Sequence, residues 1–220
     1  MPSYFVGLDL GQIQDYTALS LIEKLDDSPI HHVRGLRRWQ LRTPYPDIVR
    51  DVMTMLDQTP FHWTTGAFRT VHHTNPVMLA VDGTGCGAAV VDLFRHAVFS
   101  KRHIELVPIL IHGGDTISID GDIRRVPKRD LVSCVQLLLQ KRELKIAADL
   151  PEASTLVREL QNFQVRITTH ANDIYGAWRE GTHDDLVLSV ALACWTSRYS
   201  SFEQEDPRGA FAQALAWRGK

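Results

Sequence analysis

Cysteine is scarce in this chain: three occur among 220 residues. Cys86, Cys134 and Cys194 are odd in number and far apart, which excludes a disulfide framework and a CxxC zinc knuckle and points to a reducing compartment. Long hydrophobic runs are missing too. The two longest, Val77 to Val81 and Leu186 to Trp195, fall short of the roughly 18 residues a membrane helix needs. No charged n-region or cleavage site opens the chain, so no export and a cytoplasmic location are expected. There is no excess of basic charge: 24 Lys and Arg face 26 Asp and Glu, a net of −2, so any binding of nucleic acid must be local or assisted. No GxxxxGK[ST] motif occurs, which excludes a P-loop ATPase, and neither HExxH nor His-x-x-x-His spacing suggests zinc. No repeat of 20 to 50 residues is visible. What remains is ordinary globular composition, 44% hydrophobic and 23% charged, in a length that buries about 70% of the unfolded surface as one domain.

The order of periodicities gives the architecture. Tyr4 to Leu10 alternates, with Phe5, Gly7 and Asp9 on one face, as a strand does. Tyr16 to Glu23 and His32 to Leu41 follow across short polar turns and complete an antiparallel meander. Pro46 then opens a helix to about Gln58. After a stretch without clear pattern, Thr59 to Asn75, the wholly apolar run Val77 to Val81 reads as a buried parallel strand ending in Asp82. A helix from Ala88 to Phe99, a strand from Ile104 to Ile111, and a hairpin around Asp120-Gly121 come next. Pro127 and Pro151 start further helices, through Lys141 and Gln161. Phe163 to Thr169 and Ile174 to Arg179 read as a second hairpin, and His183 to Arg198 as the last helix. Residues 1–200 are expected to form one α/β domain with a mixed sheet flanked by helices, and 201–220 a polar C-terminal tail, disordered or detachable.

Three acidic positions stand where acids are costly. Asp9 lies inside a buried strand, Asp82 ends another beside glycines, and Asp184-Asp185 opens an apolar helix. If the two strands pair, Asp9 and Asp82 come within about 5 Å, where like charges repel by roughly 3 kcal/mol at an effective dielectric near 20. Converging carboxylates with no lysine nearby suit an oxygen-ligand site for Mg²⁺ or Mn²⁺ and metal-assisted phosphoryl chemistry. Plainer roles stand beside this one. Asp9 could pair with an arginine, and Asp82 could simply end its strand in a turn. Thr182 and Asp185 form a capping-box-like pattern, with Asp184 complementing the helix dipole. One of the adjacent acids can ligate while the other caps, and the spacing does not say which.

Gly83, Gly85 and Ala88 formally fit a dinucleotide fingerprint. Glu105, however, begins the next strand instead of ending it, so a tight turn is the better reading. Arg124, Arg125, Lys128 and Arg129 form the densest basic cluster, a candidate DNA contact or else a solvated face. His183 could orient a phosphate or a water.

The blocks GLDLGQIQDYTALSLIE (Gly7 to Glu23), AVDGTGCGAAVVDLF (Ala80 to Phe94) and REGTHDDLVLSVALA (Arg179 to Ala193), with VPKRDLV and Glu159 to Phe163 between them, resemble the nuclease domain of phage terminase large subunits. The resemblance runs from Tyr4 to about Tyr199 and implies an RNase H-like fold: an antiparallel meander plus parallel strands, flanked by helices. It implies an endonuclease that cuts double-stranded viral DNA during genome packaging, with Asp9, Asp82 and the pair Asp184 and Asp185 as catalytic, metal-binding acids. Two ions of Mg²⁺ or Mn²⁺ are implied, one between Asp9 and the third acid and one between Asp9 and Asp82. Phe163 to Arg179 corresponds to the family's hairpin beside the site. The implied partners are a separate packaging ATPase, the small terminase subunit or the portal, in the host cytoplasm, with no membrane and no nucleotide cofactor. The family's large subunits carry an ATPase ahead of the nuclease, so an excised domain, a split gene and a standalone relative all fit. A RuvC-like junction resolvase would share fold and acids, a non-catalytic packaging or adaptor protein would keep only the fold, and the Asp-x-Gly at Asp9 to Gly11 also fits the phosphate loop of actin-like or sugar-kinase phosphotransferases, which need two such domains.

Overall fold

The computed structural model describes residues 2–11, 13–58, 62–65, 71–85, 87–101, 103–167, 173–177 and 183–205. The chain begins with the meander β1 (Pro2–Asp9), β2 (Ala18–Leu25) and β3 (His31–Arg38), each antiparallel to the one before. Trp39, expected within the third strand, instead leaves it buried, its N–H donating to the carbonyl of Thr17. Helix α1 (Tyr45–Leu56) follows Pro44, with Ile48, Val49, Val52 and Leu56 buried on one stripe. The stretch without clear pattern holds a separate two-stranded hairpin, β4 (His62–Thr65) and β5 (Val71–Thr74). Four-residue strands are too short for alternation to declare them.

The parallel half of the sheet starts with β6 (Val77–Asp82), which lies directly beside β1. After α2 (Gly87–Val98) comes β7 (Ile104–His112), parallel to β6, and then the hairpin β8 (Ser118–Asp120) and β9 (Ile123–Pro127), with β9 parallel to β7. Gly121 takes φ +63 in the turn, as the Asp-Gly signal requires. Helix α3 (Lys128–Gln140) starts immediately after Pro127. The three-residue β10 (Leu144–Ile146), which nothing in the periodicity announces, adds to the far edge, parallel to β3. Next are α4 (Ala153–Asn162), the second hairpin β11 (Phe163–Ile167) and β12 (Asp173–Ala177), and finally α5 (Asp185–Glu205). The helix continues past the expected boundary at residue 200, while 206–220, Thr182 and Arg179 lie outside the described residues.

One mixed eight-stranded sheet results, in the order β10-β3-β2-β1-β6-β7-β9-β8. Helices cover both faces. On one, α1 and α2 pack Ile48, Val52, Leu56, Val90 and Phe94 against Val6, Leu8, Leu19 and Leu79. On the other, Phe5, Ile22, Ala80 and Val107 meet Leu131, Leu138, Leu156 and the α5 residues Leu186 to Trp195. Helix α5 is buried on every side through Ser197, as its nearly continuous apolar composition demands. No helix among the described residues is long and apolar enough to cross a membrane.

Candidate metal and nuclease site

Strand register sets the first two acids side by side. Leu8 pairs with Val81 across the parallel β1–β6 ladder, so Asp9 and Asp82 come next on adjacent strands, both at the carboxyl end. Both side chains take the face shared by Phe5 and Ala80, which is the face covered by α5. Helix α5 can reach them because residue 7 is glycine. A β-carbon there would stand 1.9 Å from the Ser189 carbonyl oxygen. The helix therefore rests on the bare β1 backbone, with Asp184 and Asp185 at its start.

Negative charge accumulates at this point. Burial pushes the Asp9 carboxyl well above its usual range, and Asp82, Asp185 and Asp184 push it further, in that order, against the opposing charge of Lys128. Burial also raises Asp82, although Thr84 opposes it with a hydroxyl donated at 2.5 Å and an amide at 2.8 Å. The same Thr84 hydroxyl accepts the Ile111 N–H at 2.9 Å, tying the strand end to β7. Asp185, 2% exposed, is raised by burial in spite of Arg38.

The expectation that lysine is far away does not hold. Lys128 Nζ lies 3.3 Å from Asp184, and Arg38 Nη2 lies 2.8 Å from Asp185. Among the described residues, neither Asp9 nor Asp82 has an ion-pair partner. The glycines after Asp82 shape a turn: Gly83 donates to Ile109, Gly85 takes φ +60, and a β-carbon on Gly87 would meet the Asp82 carbonyl at 2.3 Å. The basic cluster divides. Lys128 turns toward the acids, whereas Arg129 pairs with Asp115 and Arg125 lies 3.5 Å from Asp120. Arg124 sits on β9, opposite Ile109.

His183 is where the sequence suggests. Its Nδ1 lies 3.9 Å from Asp185 and 3.8 Å from Asp15, and its ring meets Tyr16 edge-on at 4.9 Å. Asp15, His183 and Asp185 each offer a ligand atom within 4.8 Å of the others. Four contributors escape a sequence reading: Asp15, Tyr16, Arg38 and Glu159. For Glu159 a signal existed, since it falls at helical spacing on the buried stripe Ala153, Leu156, Glu159 of α4. Its Oε2 accepts the N–H groups of Leu186 and Val187 at 3.0 and 3.2 Å and so caps α5 from another helix. The cap expected from Thr182 lies outside the described residues.

A pH dependence follows from these carboxyls. Burial outweighs Arg38 and two amide donors in raising Glu159 to about 7, and Asp9, Asp82 and Asp185 shift the same way. The native state thus keeps protons that the unfolded chain has released, so stability falls as pH rises from about 4.5 to about 7. In EDTA, unfolding between pH 5 and 7.5 should lose about 2 kcal/mol, and Glu159→Gln should flatten the slope. A melting temperature that climbs across this window would contradict it.

No family model matches the chain. In sequence it is similar to the terminase large subunits of Thermus phage G20c and Thermus virus P23-45, each 35% identical over 203 residues. Those matches cover 92% of this chain but 32% of each relative, so the chain spans about a third of their length. In structure it is similar to the G20c large terminase nuclease with bound magnesium, at TM-score 0.58, and with bound cobalt, at 0.59, both 22% identical over 88% of this chain and 80% of the other. The manganese-soaked, inhibitor-bound human cytomegalovirus terminase nuclease domain matches at TM-score 0.55 and 17% identity, over 89% and 82%. A large terminase from a thermophilic bacteriophage, in complex with ATP-gamma-S, matches at 0.55 and 13%, over 86% of this chain and 38% of that one. The chain is thus similar in sequence to about a third of the length of the phage terminase large subunits, and its mixed sheet has the RNase H-like fold of large terminase nuclease domains.

Proposed function

We propose that this chain is a divalent-metal-dependent endonuclease that hydrolyses phosphodiester bonds of double-stranded viral DNA during genome packaging. The observation that carries the reading is the Asp9 carboxyl, buried without an ion-pair partner among the described residues and raised by burial and by the charges of Asp82, Asp185 and Asp184. Such a donor set, all oxygen and in excess of its cations, fits Mg²⁺ or Mn²⁺ and disfavours softer metals. Asp9, Asp82 and the third acid from Asp184 and Asp185 would hold two ions. When bound, the ions supply Lewis-acid polarisation of the scissile phosphate and lower the pKa of the attacking water.

The protein's own groups do the rest. Asp9, on rigid β1, is shared between the two halves of the site. Thr84 fixes the Asp82 carboxylate through two hydrogen bonds. Lys128, held by Asp184, is available to meet the phosphate once Asp184 engages a cation, and Arg124, Arg125 and Arg129 are further candidate DNA contacts, Arg125 and Arg129 only on release from Asp120 and Asp115. His183 orients a water or phosphate oxygen at the margin.

With a net charge of −2, intrinsic DNA affinity is weak, and delivery falls to a packaging ATPase, the small subunit or the portal in the host cytoplasm. The relative crystallised with ATP-gamma-S matches over 38% of its own length, and we assign nucleotide binding to no residue of this chain. The ion pairs on Asp184 and Asp185 favour a second reading, a non-catalytic packaging protein that keeps the fold.

Supercoiled plasmid incubated with Mn²⁺, Mg²⁺ or EDTA separates the two. Nicking and linearisation in either metal but not in EDTA is expected. In parallel, Mn²⁺ at a hundred times its Kd should stabilise the protein by about 2.7 kcal/mol, since only a ligand of the native state raises its melting point. Intact plasmid and an unmoved melting temperature would leave the scaffold reading standing.

A further inference from the structure

Behind Asp185 lies a buried ionic cluster to which the proposed reaction gives no role. Arg38, at the end of β3, places Nη2 at 2.8 Å from Asp185 Oδ2 and 3.2 Å from Glu159 Oε1. The three side chains, Arg38, Asp185 and Glu159, are 16%, 3% and 7% exposed. The guanidinium lies over the Tyr16 ring, with Cζ 4.4 Å from its centroid. Glu159 meanwhile uses its other oxygen to accept Leu186 and Val187 N–H, the amides of the turn that carries Asp185. One strand and two helices are therefore knotted at a single carboxylate.

Two roles would account for a cation here. Arg38 could be a counter-charge standing in for a metal ion, or it could aim Asp185. Geometry favours the second. Arg38 lies at ion-pair distance from Asp185 and Glu159 and, among the described residues, from neither strand acid, whereas Lys128 is the cation paired with Asp184. Both Arg38 and His183 approach the same atom, Oδ2 of Asp185. A carboxylate gripped by one oxygen presents the other.

We propose that Arg38, braced by Glu159, is a positioning residue that holds Asp185 through Oδ2 so that Oδ1 faces the cation site before any ion arrives. The inference rests on the nuclease reading above and deepens it by assigning Asp185, of the adjacent pair, as the preorganised ligand. Asp184 is left to exchange Lys128 for cation or phosphate. Groups that hold metal ligands in place typically account for a ten- to hundredfold share of metal affinity.

The two roles predict opposite signs. Loss of a mere counter-charge makes the site more negative and tightens metal, whereas loss of a positioning group frees Asp185 to turn or take up a proton and weakens it. Calorimetric titration of the whole chain with Mn²⁺ should show Arg38→Gln weakened about tenfold or more, with the Mn²⁺ concentration for half-maximal plasmid cleavage moving in parallel. Arg38→Lys should recover most of the affinity, and Glu159→Gln, which keeps an acceptor for the two amides but loses the charge bracing Arg38, should fall between. An Arg38→Gln protein that binds Mn²⁺ equally or more tightly overturns the proposal. If that variant does not fold, Arg38→Lys and Glu159→Gln decide, and wild-type affinity in both overturns it. Wild type that takes up no Mn²⁺ overturns the nuclease reading, and this proposal with it.

Discussion

Asp9→Asn should abolish metal-dependent DNA cleavage while leaving the fold intact and, without metal, slightly more stable. The first half follows from position. Asp9 is the acid that Asp82, Asp184 and Asp185 all act upon, so it is the one carboxylate that both ions would share. Metal stabilisation of transition-state charge contributes several kcal/mol, and losing it corresponds to a rate loss on the order of 10³-fold. The second half follows from repulsion. A neutral amide at position 9 relieves burial of charge and contact with like charges, terms of about 3 kcal/mol for one neighbour at 5 Å. Proton uptake by Asp9 already relieves part of this, so a net gain of about 1 kcal/mol is expected, or about 2–4 °C for a domain of this size. Addition of Mn²⁺ should reverse the ranking, raising wild type above the variant. Undiminished plasmid cutting by Asp9→Asn would end the catalytic assignment. A lower melting temperature in EDTA would show that the carboxylate is a structural partner instead.

The acids could be picked out from sequence because each breaks a local rule. Asp9 interrupts an apolar alternation, Asp82 ends an apolar run, and Asp184-Asp185 precede a helix with no polar face. That Asp9 and Asp82 share a face was legible from strand parity, and their adjacency required only that β1 and β6 pair. The neutralising cations were not legible. Lys128 meets Asp184 across 56 residues and Arg38 meets Asp185 across 147, and nothing in an alternating strand distinguishes Arg38 from Arg34 or Arg37, which pair with Glu23 and Asp51 at the exposed surface. Tertiary placement alone selects the buried one. Strand β10 escaped for a related reason, since three residues carry no period and the edge of β3 recruits them. The Asp-Gly hairpin and the Pro127 helix start emerged as expected because their determinants are local.

Gly7→Ala, a single added methyl near this site, should be strongly destabilising. The new β-carbon would stand 1.9 Å from the Ser189 carbonyl oxygen, 2.8 Å from the Ala193 nitrogen and 3.0 Å from the Ser189 carbonyl carbon. All three are backbone atoms of α5, so no rotamer change can make room. Either α5 lifts off β1 or the strand bows, and both disturb a helix packed on all sides. Overpacking of this kind costs about 1–3 kcal/mol when side chains can adjust. With only backbone in the way, at least about 3 kcal/mol is expected, equivalent to about 6–12 °C. Gly35→Ala provides the contrast: its β-carbon meets only the Leu21 side chain, at 3.2 Å, and should cost less than about 1 kcal/mol. The consequence for function is mechanical. Helix α5 carries Asp184 and Asp185 at its start, and Gly7 lies two residues before Asp9 on the strand beneath. A helix displaced by the added methyl carries its acids away from the strand acids, so Gly7→Ala should also weaken Mn²⁺ binding and cleavage at temperatures where it remains folded. Urea unfolding of both glycine variants, with Mn²⁺ titration of the folded protein at low temperature, measures the two effects separately. Wild-type stability in Gly7→Ala would mean that the helix does not rest on this strand, and the proposed approach of Asp184 and Asp185 to the strand acids would lose its structural basis.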